Sequence, residues 1–115
     1  MKITLNAKPL LVNRAWQGRR FSTPAKTRFE RLMALSLPRV KVEGKPYYRV
    51  TYDFHLVYFK ITDWDGCCKV LQDCIVKQGI ITDDRFIIEA RVRKFPAKQD
   101  RIEIEIEGTS LGNIC

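Results

Sequence analysis

Between Ile61 and Asp84 the chain reads ITDWDGCCKVLQDCIVKQGIITDD, and this stretch has the most chemistry to offer. Asp63 and Asp65 open it, one residue apart; Lys69 follows four residues after the second; Asp83 and Asp84 close it. Carboxylates gathered in this way call for a cation. A hard divalent ion takes oxygen ligands, and Mg2+ typically keeps several waters, one or two carboxylates and a substrate phosphate. Ions held so can activate a water, polarise phosphoryl oxygens and steady a leaving oxygen, which is what phosphodiester hydrolysis needs. The expectation is a metal-dependent nuclease acting on DNA. Each residue also has a structural reading. One aspartate at a helix start is explained as a cap favoured by the dipole, but two plus the later pair are not. Lys69 can form an i,i+4 ion pair worth about 0.3–0.5 kcal/mol, or it can stabilise charge on the scissile phosphate.

The rest of the chain suits a polyanionic partner. The net charge is +8, and it is unevenly placed: residues 1–60 hold thirteen Lys/Arg against three acids, residues 61–115 eight against ten. A basic surface beside an acidic site is the combination a nucleic-acid enzyme requires; the bland alternative is a solvated basic face. At 115 residues, 45% hydrophobic and 30% charged, the chain makes one folded domain, residues 1–115. No apolar run approaches the ~20 residues that span a bilayer and no leader pattern opens the chain. The expectation is a cytoplasmic protein with no membrane partner and no small-molecule cofactor. Cys67, Cys68 and Cys74 lie too close together to close a useful loop. With Cys115, one histidine and no C-x-x-C pair, they read as small buried thiols rather than disulfides or a zinc site.

The elements that must position the acids follow from periodicity. Residues 1–7 alternate Ile3, Leu5 and Ala7 with polar residues, a half-buried strand. The irregular segment after Pro9 carries Arg14, Arg19 and Arg20 around Trp16 and Gly18, suited to phosphate contact and stacking on an unpaired base. Trp16 plugging the core is the competing reading. Thr23-Pro24 opens a helix with Phe29, Leu32, Met33, Ser36 and Leu37 on one stripe; Pro38 ends it. Lys26, off the stripe, adds grip on the backbone. A long strand places Tyr48, Val50, Tyr52, Phe54, Leu56 and Tyr58 on one face, with Arg49, Thr51, Asp53 and His55 on the other. Asp53 and His55 read as surface residues rather than a catalytic pair. A helix from Trp64 to about Gln78 buries Trp64, Cys67, Cys68, Leu71, Cys74 and Ile75, stacks Asp65, Lys69 and Asp73 on one face, and stops at Gly79. A hairpin follows, in which Arg91 and Arg93 face Glu103, Glu105 and Glu107 across the ladder, and residues 108–115 form a loose tail. The sum is an α+β domain, a mixed sheet of about four strands with two helices in the order β-α-β-α-β-β.

D-x-D, a Lys four residues on, an apolar helix ending in Gly, and Asp-Asp before a strand resemble the RusA family of Holliday junction resolvases. The resemblance extends to the opening strand, the Asn13, Arg14, Trp16, Arg19, Arg20 loop, the helix after Thr23 and the closing hairpin. It implies a small homodimeric endonuclease, of a kind common in phages and prophages, that cuts four-way DNA junctions with Mg2+ (Mn2+ possible). It further implies metal ligands at Asp63, Asp65 and Asp84, with Asp83 adjacent, and an essential Lys69. Nucleic-acid contacts are expected from Arg14, Trp16, Arg19, Arg20, Lys26 and Lys69. The family usually has Asn directly after the second Asp; this chain has Gly66.

A helix from Asp65 to Gln78 is ~20 Å long, which would put Asp84 at its far end. Of two solutions, the one expected is an obligatory closed dimer with sites shared across its twofold axis, each completed by the partner's Asp84. A short or bent helix with residues 80–82 looping back, one site per subunit, is the other. Two rivals stand beside the junction nuclease: a non-catalytic basic nucleic-acid-binding module, and a nuclease for other branched DNA.

Overall fold

The computed structural model describes residues 1–11, 16–17, 21–42 and 47–110. In chain order these form β1 (Lys2–Leu5), a small ribbon of β2 (Trp16–Gln17) and β3 (Phe21–Ser22), helix α1 (Pro24–Ser36), β4 (Tyr47–Leu56), helix α2 (Lys69–Lys77), β5 (Ile87–Pro96) and β6 (Arg101–Thr109). The four longer strands make one mixed sheet in the order β1-β6-β4-β5. Its α+β architecture, with four strands and two helices, is the one the periodicities imply.

β4 is central because its alternation is strict and both of its edges are hydrogen-bonded. It pairs antiparallel with β6 and parallel with β5. Tyr48, Val50, Tyr52, Phe54 and Leu56 are all buried, and across the β6 ladder Val50, Tyr52 and Phe54 stand opposite Ile106, Ile104 and Ile102. Those three isoleucines are at most 1% exposed. Removing such a side chain to alanine typically costs about 2–5 kcal/mol. The strand stops at Leu56, so Tyr58 lies beyond the ladder and is exposed rather than part of the core.

Both helices cover the apolar face of the sheet. Thr23 caps α1, its side chain accepting the Lys26 N–H at 3.2 Å, with Pro24 in the first turn. Leu37, held extended before Pro38, ends it. Phe29, Met33 and Leu37 are buried; Leu32 remains about half exposed. From α2 come Val70, Leu71, Cys74 and Ile75. The helices are tied by Gln78 Nε2, which donates to the carbonyls of Leu37 (2.9 Å) and Ala34 (3.3 Å), and by Glu30, which accepts from Lys26 and Lys77. No helix among the described residues is long and apolar enough to cross a membrane.

Two expectations need correction. β5 and β6 do not form a hairpin: β4 lies between them, and residues 97–100 arch across its end. Ala97 N–H bonds the Leu56 carbonyl at 3.0 Å, and Val57 N–H bonds Asp100 Oδ1 at 3.0 Å. Arg91 and Arg93 therefore cannot reach the β6 glutamates as direct ladder partners. The charges pair through β4 instead, Asp53 holding Arg93 by two bonds of 2.7 and 2.8 Å and Arg49 bridging Glu89 and Glu107. The physical reason is that a parallel β4/β5 pair needs a long crossover, and the segment containing α2 supplies one. The second correction is the closing tail. Residues 108 and 109 continue β6, and Thr109 is buried; 111–115 lie outside the described residues.

Candidate active site

The segment between β4 and β5 is built from short pieces rather than one helix. After Leu56 a run of turns, 57–61, leads to Asp63; Asp65–Cys67 form one 3-10 turn; α2 begins only at Lys69. The tighter turn has a different angular spacing from an α-helix, which takes Trp64 off the apolar stripe. It is 55% exposed, against the expectation of burial. Cys67 is fully buried, its thiol donating to the Asp63 carbonyl at 3.4 Å, and so fixes the backbone of the first aspartate from below.

α2 has nine residues, about 14 Å of helix. Gly79 ends it with φ +82, the left-handed conformation that glycine adopts without a Cβ penalty. The reversal buries Ile80 and Ile81, and the Ile80 carbonyl accepts from Val42 N–H at 2.9 Å. Asp83 then caps a second 3-10 turn, Asp84–Phe86, its carboxylate accepting the Arg85 N–H at 3.0 Å.

This path returns Asp84 to the flank of α2. Lys69 Nζ lies 3.1 Å from Asp73 Oδ1 and 3.7 Å from Asp84 Oδ2 of the same chain. The ion pair with Asp73, then that with Asp84, raises the Lys69 pKa, so its charge is secure at neutral pH. The Arg85 backbone bond, with a smaller contribution from the adjoining Asp84 carboxyl, lowers that of Asp83. Asp84 thus meets Lys69 within one chain, by way of a helix shorter than the one expected.

Tyr52 marks the middle of the arrangement. Its hydroxyl donates to Gln72 Oε1 at 3.1 Å, and burial, then the charges of Cys68 and Asp84, raise its pKa. Burial likewise pushes Cys68 up to about 12, with Asp65 adding to the effect, and Cys67 up to about 11. The thiols beside the acids are therefore neutral at pH 7, as small buried cysteines should be, and the ionised donors here are oxygens. Among the described residues no three His, Cys, Asp or Glu side chains converge into a ready-made metal cluster.

Of the other expected contact residues, Lys26 is half-buried and bonded to Glu30 at 3.2 Å. It shares a groove of about 390 Å³ with Lys77, Asp73, Asp83 and Asp84. Asn13, Arg14, Arg19 and Arg20 lie outside the described residues, and of Trp16 only its place on β2 is described. Asp53 and His55 sit on the open face of the sheet, Asp53 on Arg93 and His55 on Glu103 and the Phe95 ring, as surface residues do. Sequence reasoning singled out neither Tyr52 and Gln72, which bond each other, nor Lys94, whose ammonium bonds the Phe59 and Thr62 carbonyls just before Asp63. The available signal was a lysine at an inward position of β5.

No curated protein matches the chain. The family model described as Endodeoxyribonuclease RusA matches residues 11–107, a span that takes in both helices, β4, β5, nearly all of β6 and every carboxylate considered above. The chain belongs to the RusA family of endodeoxyribonucleases, the resolvases of Holliday junctions.

Proposed function

We propose that this chain cuts four-way DNA junctions by Mg2+-dependent hydrolysis (Mn2+ substituting), as a homodimer, with Asp63, Asp65 and Asp84 as metal ligands and Lys69 at the scissile phosphate. The observation that supports the reading is the Lys69–Asp84 contact at 3.7 Å, which puts a late acid beside the lysine that follows the early pair. The donors suit a hard ion. They are carboxylates, with the thiols nearby held neutral, and Asp83 adjoins Asp84, so the pair wants positive charge. An ion of this kind completes its shell with water and phosphate oxygens.

When bound, the ion supplies a Lewis acid and a water of lowered pKa. The chain's own residues do the rest. Asp63 and Asp65 present oxygens from an exposed turn that the backbone of DNA can approach. Asp83, spent on the Arg85 amide, holds the second turn so that Asp84 points at Lys69. Lys69 balances Asp73 and Asp84 in the free protein and is placed to take charge from the phosphate as the leaving oxygen departs. Lys26 and Lys77 flank the same groove and suit phosphates on either side. Arg14, Trp16, Arg19 and Arg20 are proposed to grip the branch point. Two such sites related by a twofold axis suit a substrate that needs two matched cuts.

The test is cleavage of a labelled four-way junction, a fork and a linear duplex with and without Mg2+, wild type beside Asp65→Asn. Junction cleavage that needs the metal and disappears in the variant, with binding kept, supports the proposal. Binding without cleavage by wild type points to a non-catalytic module, and preferential cutting of the fork to another branched substrate. Sedimentation decides the dimer. Mixing Asp65→Asn with Asp84→Asn chains should restore no activity, since each subunit's site is proposed to be complete in itself.

A further inference from the structure

Lys94 lies on β5 directly opposite Phe54 of β4, a parallel partner that is fully buried. Paired residues share a side of the sheet, so Lys94 stands on the helix-covered face, where an ammonium is costly unless it finds acceptors. It finds two. Nζ donates to the Phe59 carbonyl at 2.7 Å and to the Thr62 carbonyl at 2.9 Å, and it sits 4.6 Å from the centre of the Phe59 ring. Both carbonyls belong to the segment leaving β4, and Thr62 is bonded directly to Asp63.

Beyond Tyr58, which has Lys8 4.9 Å over its ring, and Val57, bonded to Asp100, the segment's other hydrogen bonds are within itself. Thr62 Oγ1 and Ile61 N–H both bond the Tyr58 carbonyl, at 2.8 and 3.3 Å, and Cys67 bonds back to Asp63 and Trp64. Bonds within a turn fix its shape but not its direction relative to the sheet. Lys94 supplies the direction. β5 is also the strand that Asp84 leads into through its 3-10 turn. One strand therefore anchors both acidic pairs, the later one by chain continuity at its start and the earlier one by an ammonium near its end.

We propose that Lys94 is a positioning residue that fixes how Asp63 and Asp65 are presented by clamping the Phe59 and Thr62 carbonyls to β5. The inference rests on the reading of those aspartates as metal ligands. Supports of this kind, one step removed from the ligands, typically change metal affinity or activity by about 10–100-fold.

The experiment uses the full chain as wild type, Lys94→Met, Lys94→Arg and Asp65→Asn. Mn2+ binding is followed by loss of the free-ion electron paramagnetic resonance signal, and junction affinity is measured without metal. The Mg2+ concentration giving half-maximal cleavage is the third readout. Lys94→Met should weaken Mn2+ binding and raise the Mg2+ requirement by about 10-fold or more. Metal-free junction affinity should stay within about 2-fold, and Lys94→Arg should recover most of the metal affinity; a general loss of structure would instead lower every readout together. If Lys94→Met binds Mn2+ like wild type while Asp65→Asn does not, the positioning role is overturned and the ligand reading stands. If Asp65→Asn also binds like wild type, the ligand reading itself fails and takes the inference with it. Should Lys94→Met not fold, Lys94→Gln carries the same comparison.

Discussion

Lys69 and Asp84 meet at 3.7 Å although a whole helix, a glycine reversal and two buried isoleucines separate them in the chain. The contact brings Asp84 beside the lysine that follows Asp65 by four residues. It also makes Lys69 a shared counter-charge, for Asp73 at 3.1 Å lies on its other side.

Replacing Lys69 by methionine removes that shared charge while keeping the stem. Junction cleavage should fall by about 10²–10³, the range for deleting one preorganised charge-stabilising group, and junction affinity by far less. Asp84→Asn should show the same loss with a raised Mg2+ requirement. Single-turnover cleavage beside a gel-shift titration checks both. Equal falls in binding and cutting would reduce Lys69 to a backbone contact.

Glu30 gives a pH signature. The Lys77 bond, with Lys26 adding to it, outweighs the opposing effect of burial and holds its pKa below 4.5. A carboxylate depressed in the folded state contributes stability above its unfolded pKa and loses it as pH falls through the folded value. Glu30→Gln should therefore cost about 1 kcal/mol or less at pH 7, discounted for partial exposure. Its deficit should shrink below about pH 4.5 as the wild-type carboxylate protonates. Urea melts of both proteins at pH 7 and pH 3.5 read the difference directly.

The two glycines flanking α2 should respond in opposite ways. Gly79→Ala forces a Cβ into φ +82 and should destabilise by about 1–2 kcal/mol. Gly66 has no such constraint, and a Cβ there would meet only Leu11 Cδ2 at an ordinary 3.5 Å. Gly66→Asn, which restores the residue usual in the family, should leave stability unchanged or raise it by a few tenths of a kcal/mol. Thermal melts check both, and cleavage by the Asn variant reads what that amide adds.

The sheet topology can be tested by charge coupling. A double-mutant cycle on Asp53 and Arg93 should return about 0.2–1 kcal/mol, since they touch at 2.7 Å. A cycle on Arg91 and Glu105 should return nothing measurable, because Thr51 of β4 stands between them. Coupling in the second pair would restore the hairpin.

What the sequence made legible is what local rules decide. Thr23-Pro24 and Pro38 bracket α1 through capping and missing N–H groups. β4 announces itself by a period of two, and Gly79 stops a helix because few other residues tolerate its φ. The acidic residues and Lys69 stand out by type and spacing. What stayed hidden depends on distant contacts. The arch of residues 97–100 over the end of β4 replaces a hairpin that the turn composition suggests equally well. The return of Asp84 depends on where α2 starts, and nothing in Trp64–Cys68 distinguishes a 3-10 turn from the first turn of a longer helix. Lys94 looked like one more cation until Phe54 was seen opposite it.

The arch over β4 sets a timetable. β4 leaves the ribosome before either strand that flanks it, and the amide and carboxylate bonds that lock its exit come from Ala97 and Asp100. Until β5 has emerged, the segment bearing Asp63 and Asp65 hangs from a strand with no neighbours on either side, and until Ala97 and Asp100 follow, its exit is not locked. On the proposed roles of those aspartates, a nascent chain is thus an inert one until the sheet is complete.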